Sequence, residues 1–127
     1  MAITQVTVQT PANEIIFNDS AMGNSADAIK ASSALVYYVL VDNTANAGAA
    51  TYVKLYNLAA GSVTVGVTVP DEVIYVPGGR KITHLLFDGS TLGKTFGTAL
   101  SAAALTTGGT AGSTSPVSSV PVTISYV

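Results

Sequence analysis

The chain has 127 residues and no cysteine. Its formal net charge is −2, with 48% hydrophobic and only 9% charged residues. That length suits one domain. The missing cysteine excludes disulfides and thiolate chemistry, and the weakly acidic balance lacks the basic footprint of a nucleic-acid binder.

From the N-terminus, Met1 to Gln5 has neither the basic start nor the apolar core of a secretory signal. Thr4 to Thr10 sets Val6 and Val8 against Gln5, Thr7 and Gln9, the period of a half-buried edge strand. Residues 1–12 therefore read as an extended arm that Pro11 ends. Asn13 to Phe17 gives a short second strand. Ser25 to Lys30 suits either one helical turn capped by Ser25 or a loop.

The two strongest strand signals are Leu35 to Val41 and Thr51 to Asn57, rich in β-branched and aromatic residues. The first is apolar on both alternation phases, which predicts cover on both faces. The second places Tyr52, Lys54 and Tyr56 on one side and Val53 and Leu55 on the other. The Asn, Thr, Ala and Gly residues between them predict a long hairpin loop. The run Leu35 to Val41 is also the longest apolar stretch and is far too short to span a bilayer, so no membrane contact is expected.

Ser62 to Val69 alternates four valines against Thr64, Gly66 and Thr68 and reads as a strand. Glu72 to Val76 is a brief strand, and Pro77-Gly78-Gly79 is a turn. Arg80 to Phe87 follows as a strand, and Asp88-Gly89 as a further turn. Ala99 to Leu105 has helical propensity, yet Gly and Thr flank it, so Lys94 to Thr107 reads as a strand of small side chains. Thr106 to Ser119 is a long flexible loop of Gly, Ser, Thr and Ala. Val120, Val122, Ile124 and Tyr126 share one phase of a buried last strand. The sum is an all-β chain, a single-domain β-sandwich or jelly roll of about eight antiparallel strands over residues 1–127.

A compact monomer of 12.8 kDa exposes roughly 6,000 Å². Twelve charged side chains spread over it leave about one per 500 Å². So sparse a charge predicts an exterior largely covered by other subunits.

The chemistry-bearing residues are few. His84 is the lone histidine and shares a phase with Ile82 and Leu86, which favours a core or interface side chain over a catalytic base. No Gly-x-Ser-x-Gly elbow occurs. The carboxylates Glu14, Asp19, Asp27, Asp42, Asp71, Glu72 and Asp88 fall mostly in turns, where Asp caps its own backbone. Calcium on Asp19, Asp27 and Asp42 is a minor alternative, and one histidine without cysteine cannot fill a zinc site. Gly78-Gly79-Arg80-Lys81 lacks P-loop spacing, and Asn18-Asp19-Ser20 matches a glycosylation acceptor only by chance pattern. No cofactor, no metal and no enzymatic activity are expected. Tyr52 and Tyr56 flank Lys54 on one strand face, an arrangement that suits a subunit contact and, less often, a sugar platform.

Tyr52-Val53-Lys54-Leu55-Tyr56-Asn57 is followed by Thr68-Val69-Pro70-Asp71 and by Val73-Ile74-Tyr75-Val76-Pro77-Gly78-Gly79. Then come Phe96-Gly97-Thr98-Ala99-Leu100-Ser101-Ala102-Ala103 and a closing Val122-Thr123-Ile124-Ser125-Tyr126. This order resembles small all-β virion proteins of tailed bacteriophages, those of marine and cyanobacterial phages above all. A Tyr-x-Lys-Leu-Tyr strand, a Pro-x-x-x-Ile-x-Val-Pro-Gly hairpin and a small-residue strand recur together there. The resemblance covers Thr51 to Val127.

It implies a non-enzymatic structural protein made in the host cytoplasm and placed on the capsid surface of the virion. A capsid decoration, or cement, protein is the first expectation. Its partners would be the major capsid protein or other virion proteins and further copies of itself, as a trimer before a dimer. Ile3, Val6 and Val8 of the arm, together with Tyr52, Lys54 and Tyr56, are the candidate contact residues. A phage tail or fibre component is the rival within that class, and a carbohydrate-binding module the rival outside it.

Overall fold

The computed structural model describes residues 13–127. The expected strand over Thr4–Thr10 and the contact candidates Ile3, Val6 and Val8 lie outside the described residues. Among the described residues eleven strands run in chain order: β1 (Ile15–Asp19), β2 (Asp27–Lys30), β3 (Ala34–Asp42), β4 (Thr51–Tyr56), β5 (Glu72–Val76), β6 (Lys81–Leu85), β7 (Phe87–Asp88), β8 (Thr91–Leu92), β9 (Lys94–Phe96), β10 (Leu100–Leu105) and β11 (Val122–Tyr126). Among the described residues no helix is long and apolar enough to cross a membrane.

The strands form two antiparallel sheets. The first has the order β1-β11-β3-β6, with β9 beside β6 along the same side of β3. The second has the order β2-β10-β4-β5, and β7 and β8 make a separate short hairpin. With β7, β8 and β9 set aside, eight principal strands remain. The first pairs with the last (β1 with β11), the second with the seventh (β2 with β10), the third with the sixth (β3 with β6) and the fourth with the fifth (β4 with β5). Contacts of β11 with β3 and of β10 with β4 complete each sheet. These six pairings define a jelly roll, the topology in which a long antiparallel ribbon wraps into two facing sheets.

Alternation places the core between the sheets. Val36, Val39, Val41, Val122, Ile124 and Tyr126 come from the first sheet, and Val53, Leu55, Ile74, Val76, Leu100, Ala102 and Ala104 from the second. All four expected residues of the last strand are buried. The expectation for β3 holds on one face only: Leu35, Tyr38 and Leu40 are half-buried, while Val36, Val39 and Val41 are closed off.

Four local expectations are corrected. Lys94 to Thr107 is not one strand, because β9 pairs in the first sheet and β10 in the second, with residues 97–99 between them. β3 and β4 do not form a hairpin, because β3 lies in the first sheet and β4 in the second, so residues 43–50 cross between them. Residues 27–30 of the segment Ser25 to Lys30 form β2, held by the free side of β10. Residues 62–69 are not a strand. They lie in the connection between β4 and β5, after a 3-10 turn at Ala60–Ser62. The Thr64 carbonyl accepts from Val67 N and Thr68 N, Thr64 N donates back to Thr68 Oγ1, and Gly66 takes φ +89°. The N–H groups of Ser62, Val63, Thr64, Val67 and Thr68 are all spent within residues 59–68, so the stretch offers no continuous ladder to a neighbouring strand, and Val67 and Val69 face solvent.

The crossover is fixed by a buried asparagine. Asn43 donates from Nδ2 to the carbonyls of Ala49 (2.9 Å), Val76 (3.3 Å) and Pro77 (3.2 Å). Its Oδ1 accepts from Thr51 Oγ1 (2.8 Å) and Asn46 Nδ2 (3.0 Å). Asn46 in turn exchanges hydrogen bonds with the backbone of Ser118. One end of the sandwich is thereby tied across three connections. Gly78 permits the closeness, since a Cβ there would stand 2.7 Å from the Ala47 carbonyl oxygen.

Candidate functional site

The outer face of the second sheet is the chemically unusual part of the molecule. On β4, Tyr52, Lys54 and Tyr56 point away from the core, as their alternation with Val53 and Leu55 requires. Across from them on β10 stand Leu105, Ala103 and Ser101. An outer face is normally wet. Here Lys54 and Tyr56 are both 0% exposed, and so are Ser101, Ala103 and Leu105. The expectation that Lys54 and Tyr56 are surface contact residues is therefore corrected: the chain buries them itself, and of the three only Tyr52 stays half-exposed.

Over Lys54 and Tyr52 the cover comes from residues 106–119, while Ser101 Oγ bonds the Leu58 carbonyl in the connection after β4. The segment leaves β10 and pinches closed where Thr106 N donates to the Thr114 carbonyl (3.0 Å). At the neck it is pinned to the turn before β2, by Asn24 Nδ2 to Ser113 O and Asn24 N to Ser115 Oγ, both 2.9 Å, and farther along Asn46 holds Ser118. Within the pinch, residues 107–112 lie over β4. Gly108 passes so near Tyr52 that a Cβ would sit 2.8 Å from the ring, and Gly112 takes φ +94° beside Thr107. Gly66, in the turn after β4, abuts the Gly112 carbonyl.

Lys54 Nζ donates to the Ala111 carbonyl at 3.0 Å. Neither ion pair among the described residues involves it, and residues 1–12 contain no Asp or Glu. Burial alone holds its amine below the ordinary lysine value. The Tyr56 hydroxyl has no hydrogen-bond partner, and burial pushes its pKa up. A buried ammonium with one neutral acceptor beside an unpartnered phenol is costly, since each unpaired polar group costs about 1–3 kcal/mol.

Two further clusters lie elsewhere. Glu72 on β5 meets Lys94 on β9 at 2.8 Å and His84 on β6 at 3.6 Å, joining the edges of the two sheets. Lys94 also donates to the Asp71 carbonyl at 2.9 Å. His84 is half-buried and faces this carboxylate. Pairs this open are worth about 0–1 kcal/mol each.

At the opposite edge, Asp19 and Asp27 come together. The Asp27 carboxyl is pushed up to about 7, first by burial and then by the hydrogen bond to Asp19 and its charge. Its Oδ2 finds no partner. Asp42, weighed with these two as a calcium ligand, turns instead to Thr44, whose hydroxyl and N–H donate to it and lower its pKa. Among the described residues no group of three potential metal ligands forms.

The sheet edges carry bare apolar side chains. Ile15 and Ile16 on β1 are 47% and 43% exposed, and Tyr75 on β5 is 55% exposed beside the half-open Val73. Tyr75 packs against Tyr52 with ring centres 5.4 Å apart. Sequence reasoning found the Tyr52–Tyr56 strand but missed its cover, the Glu72 cluster and the Asp19–Asp27 pair. Compared with family models, curated proteins and solved structures, the chain matches none of the three.

Proposed function

We propose that this chain is a non-enzymatic structural protein of a virus particle, a decoration protein that cements the capsid. It would sit on the capsid surface and contact the major capsid protein and further copies of itself, as a trimer before a dimer. The observation that carries this reading is the edge of β1. Ile15, Ile16 and Phe17 run without charge or proline, ahead of Asn18 and Asp19, along a strand that has one unpaired side among the described residues, and both isoleucines are open to water. Edge strands of free monomers are blunted by charge, proline or bulges, and an unblunted one is built to be covered. The sparse charge of the whole chain points the same way. The jelly-roll fold is compatible with the reading but hosts lectins and cupins as well.

Imaging of purified particles with a label on this chain tests the proposal. Many copies spread over the shell support cement. A few copies at one vertex support the tail or fibre rival, and none on the particle overturns both. A carbohydrate module retains only the Tyr52–Tyr75 pair as a platform, now that Tyr56 is covered. Binding on a glycan array that Tyr75→Ala abolishes would favour it.

A further inference from the structure

We propose that residues 107–112 are a flap that opens about its neck and uncovers Lys54 while the sandwich stays folded. Three observations support this. The flap is closed at its base by the Thr106–Thr114 hydrogen bond, so its tip can lift without disturbing β10, as in an Ω-loop. Over residues 107–112, the bond from Lys54 Nζ to Ala111 O is the only hydrogen bond to the rest of the described protein. The ties at Asn24 and Asn46 all fall at residues 113–118. Gly109 and Gly112, both at positive φ, give the segment its bends.

The groups under the flap favour its opening. Directly across from Lys54 stand Ala103 on β10 and Val73 on β5, and its neighbours on the same face of β4 are Tyr52 and Tyr56. None of these offers a negative charge at neutral pH. Lifting the flap hydrates the ammonium, which offsets the packing given up at the Tyr52 ring. The Ala111 carbonyl is close enough to the surface to be hydrated in its turn. Local opening of this kind needs far less free energy than global unfolding. It also has a sign with pH. The amine is held below 10.5 when covered and returns toward it when hydrated, so opening takes up a proton in that window. The flap is therefore held more firmly as pH rises toward about 10.5.

Two measurements on the whole chain test this. Native-state acylation of lysines, read by mass spectrometry, should modify Lys54 at least about tenfold faster than global unfolding permits. Amide exchange over 107–112, corrected for intrinsic rates, should slow in Lys54→Met by about fivefold or more, and should lose the pH dependence seen in the native chain. Lys54 acylated no faster than the chain unfolds overturns the opening. Unchanged exchange in Lys54→Met overturns the role of Lys54. Should that variant fail to fold, acylation of the native chain decides alone.

Discussion

Tyr56 and Asp27 show how single buried polar groups mark this chain. The Tyr56 hydroxyl is enclosed without a partner, so Tyr56→Phe removes a desolvation cost and no hydrogen bond. Chemical denaturation should find the variant equal to the native chain or up to about 1 kcal/mol more stable. Asp27 predicts a pH dependence. Its carboxyl titrates near 7 in the folded protein and near 3.8 when unfolded. The folded state therefore holds the proton more tightly, and stability falls as pH rises from about 4 to about 7 and is level above. Thermal unfolding at pH 5 and pH 8 should show the higher midpoint at pH 5, and Asp27→Asn should flatten the difference. Asp42 acts in the opposite sense, but only below its ordinary value of 3.8, outside that window.

At the level of strands and turns, the legible parts were those with burial written into local pattern. Val122, Ile124 and Tyr126 alternate because one face of β11 meets the core, and small residues filled β10 because both of its faces are closed. Val63 to Val69 carries the same alternation with no sheet to receive it. Period alone does not distinguish a strand from a chain that turns on its own Thr64 carbonyl. The β3–β4 crossover was illegible for another reason. Nothing in residues 43–50 names the partner strand, and the anchors of Asn43 lie at Val76 and Pro77, over thirty positions on. The burial of Lys54 was hidden likewise, since Ala111 is 57 positions away. Asn43→Ala is the sharpest test at this level. It strands the Val76 carbonyl and the Thr51 hydroxyl in a buried place, so a loss of about 3 kcal/mol is expected in denaturant titration. A purely local turn residue would lose under about 1 kcal/mol.

For the whole molecule, the open question is what lies against the sheet edges. Ile16→Lys places a charge on the unpaired side of the first sheet, at a residue that is already 43% exposed. If β1 is an assembly edge, sedimentation should shift toward monomer, while the unfolding midpoint of the monomer stays within about 0.5 kcal/mol of native stability. An oligomer untouched by this change moves the contact elsewhere on the surface.

The pairing of β1 with β11 governs when the molecule can come into being. Ser125, on β11, donates a hydrogen bond to Glu14, 111 positions earlier, and β11 itself lies between β1 and β3. A chain still emerging from the ribosome cannot finish its first sheet until β11, over a hundred positions after β1, is out. Refolding should then be slow for so small a protein, on the order of milliseconds to seconds. Removing residues 122–127 would take out a central rib of the first sheet.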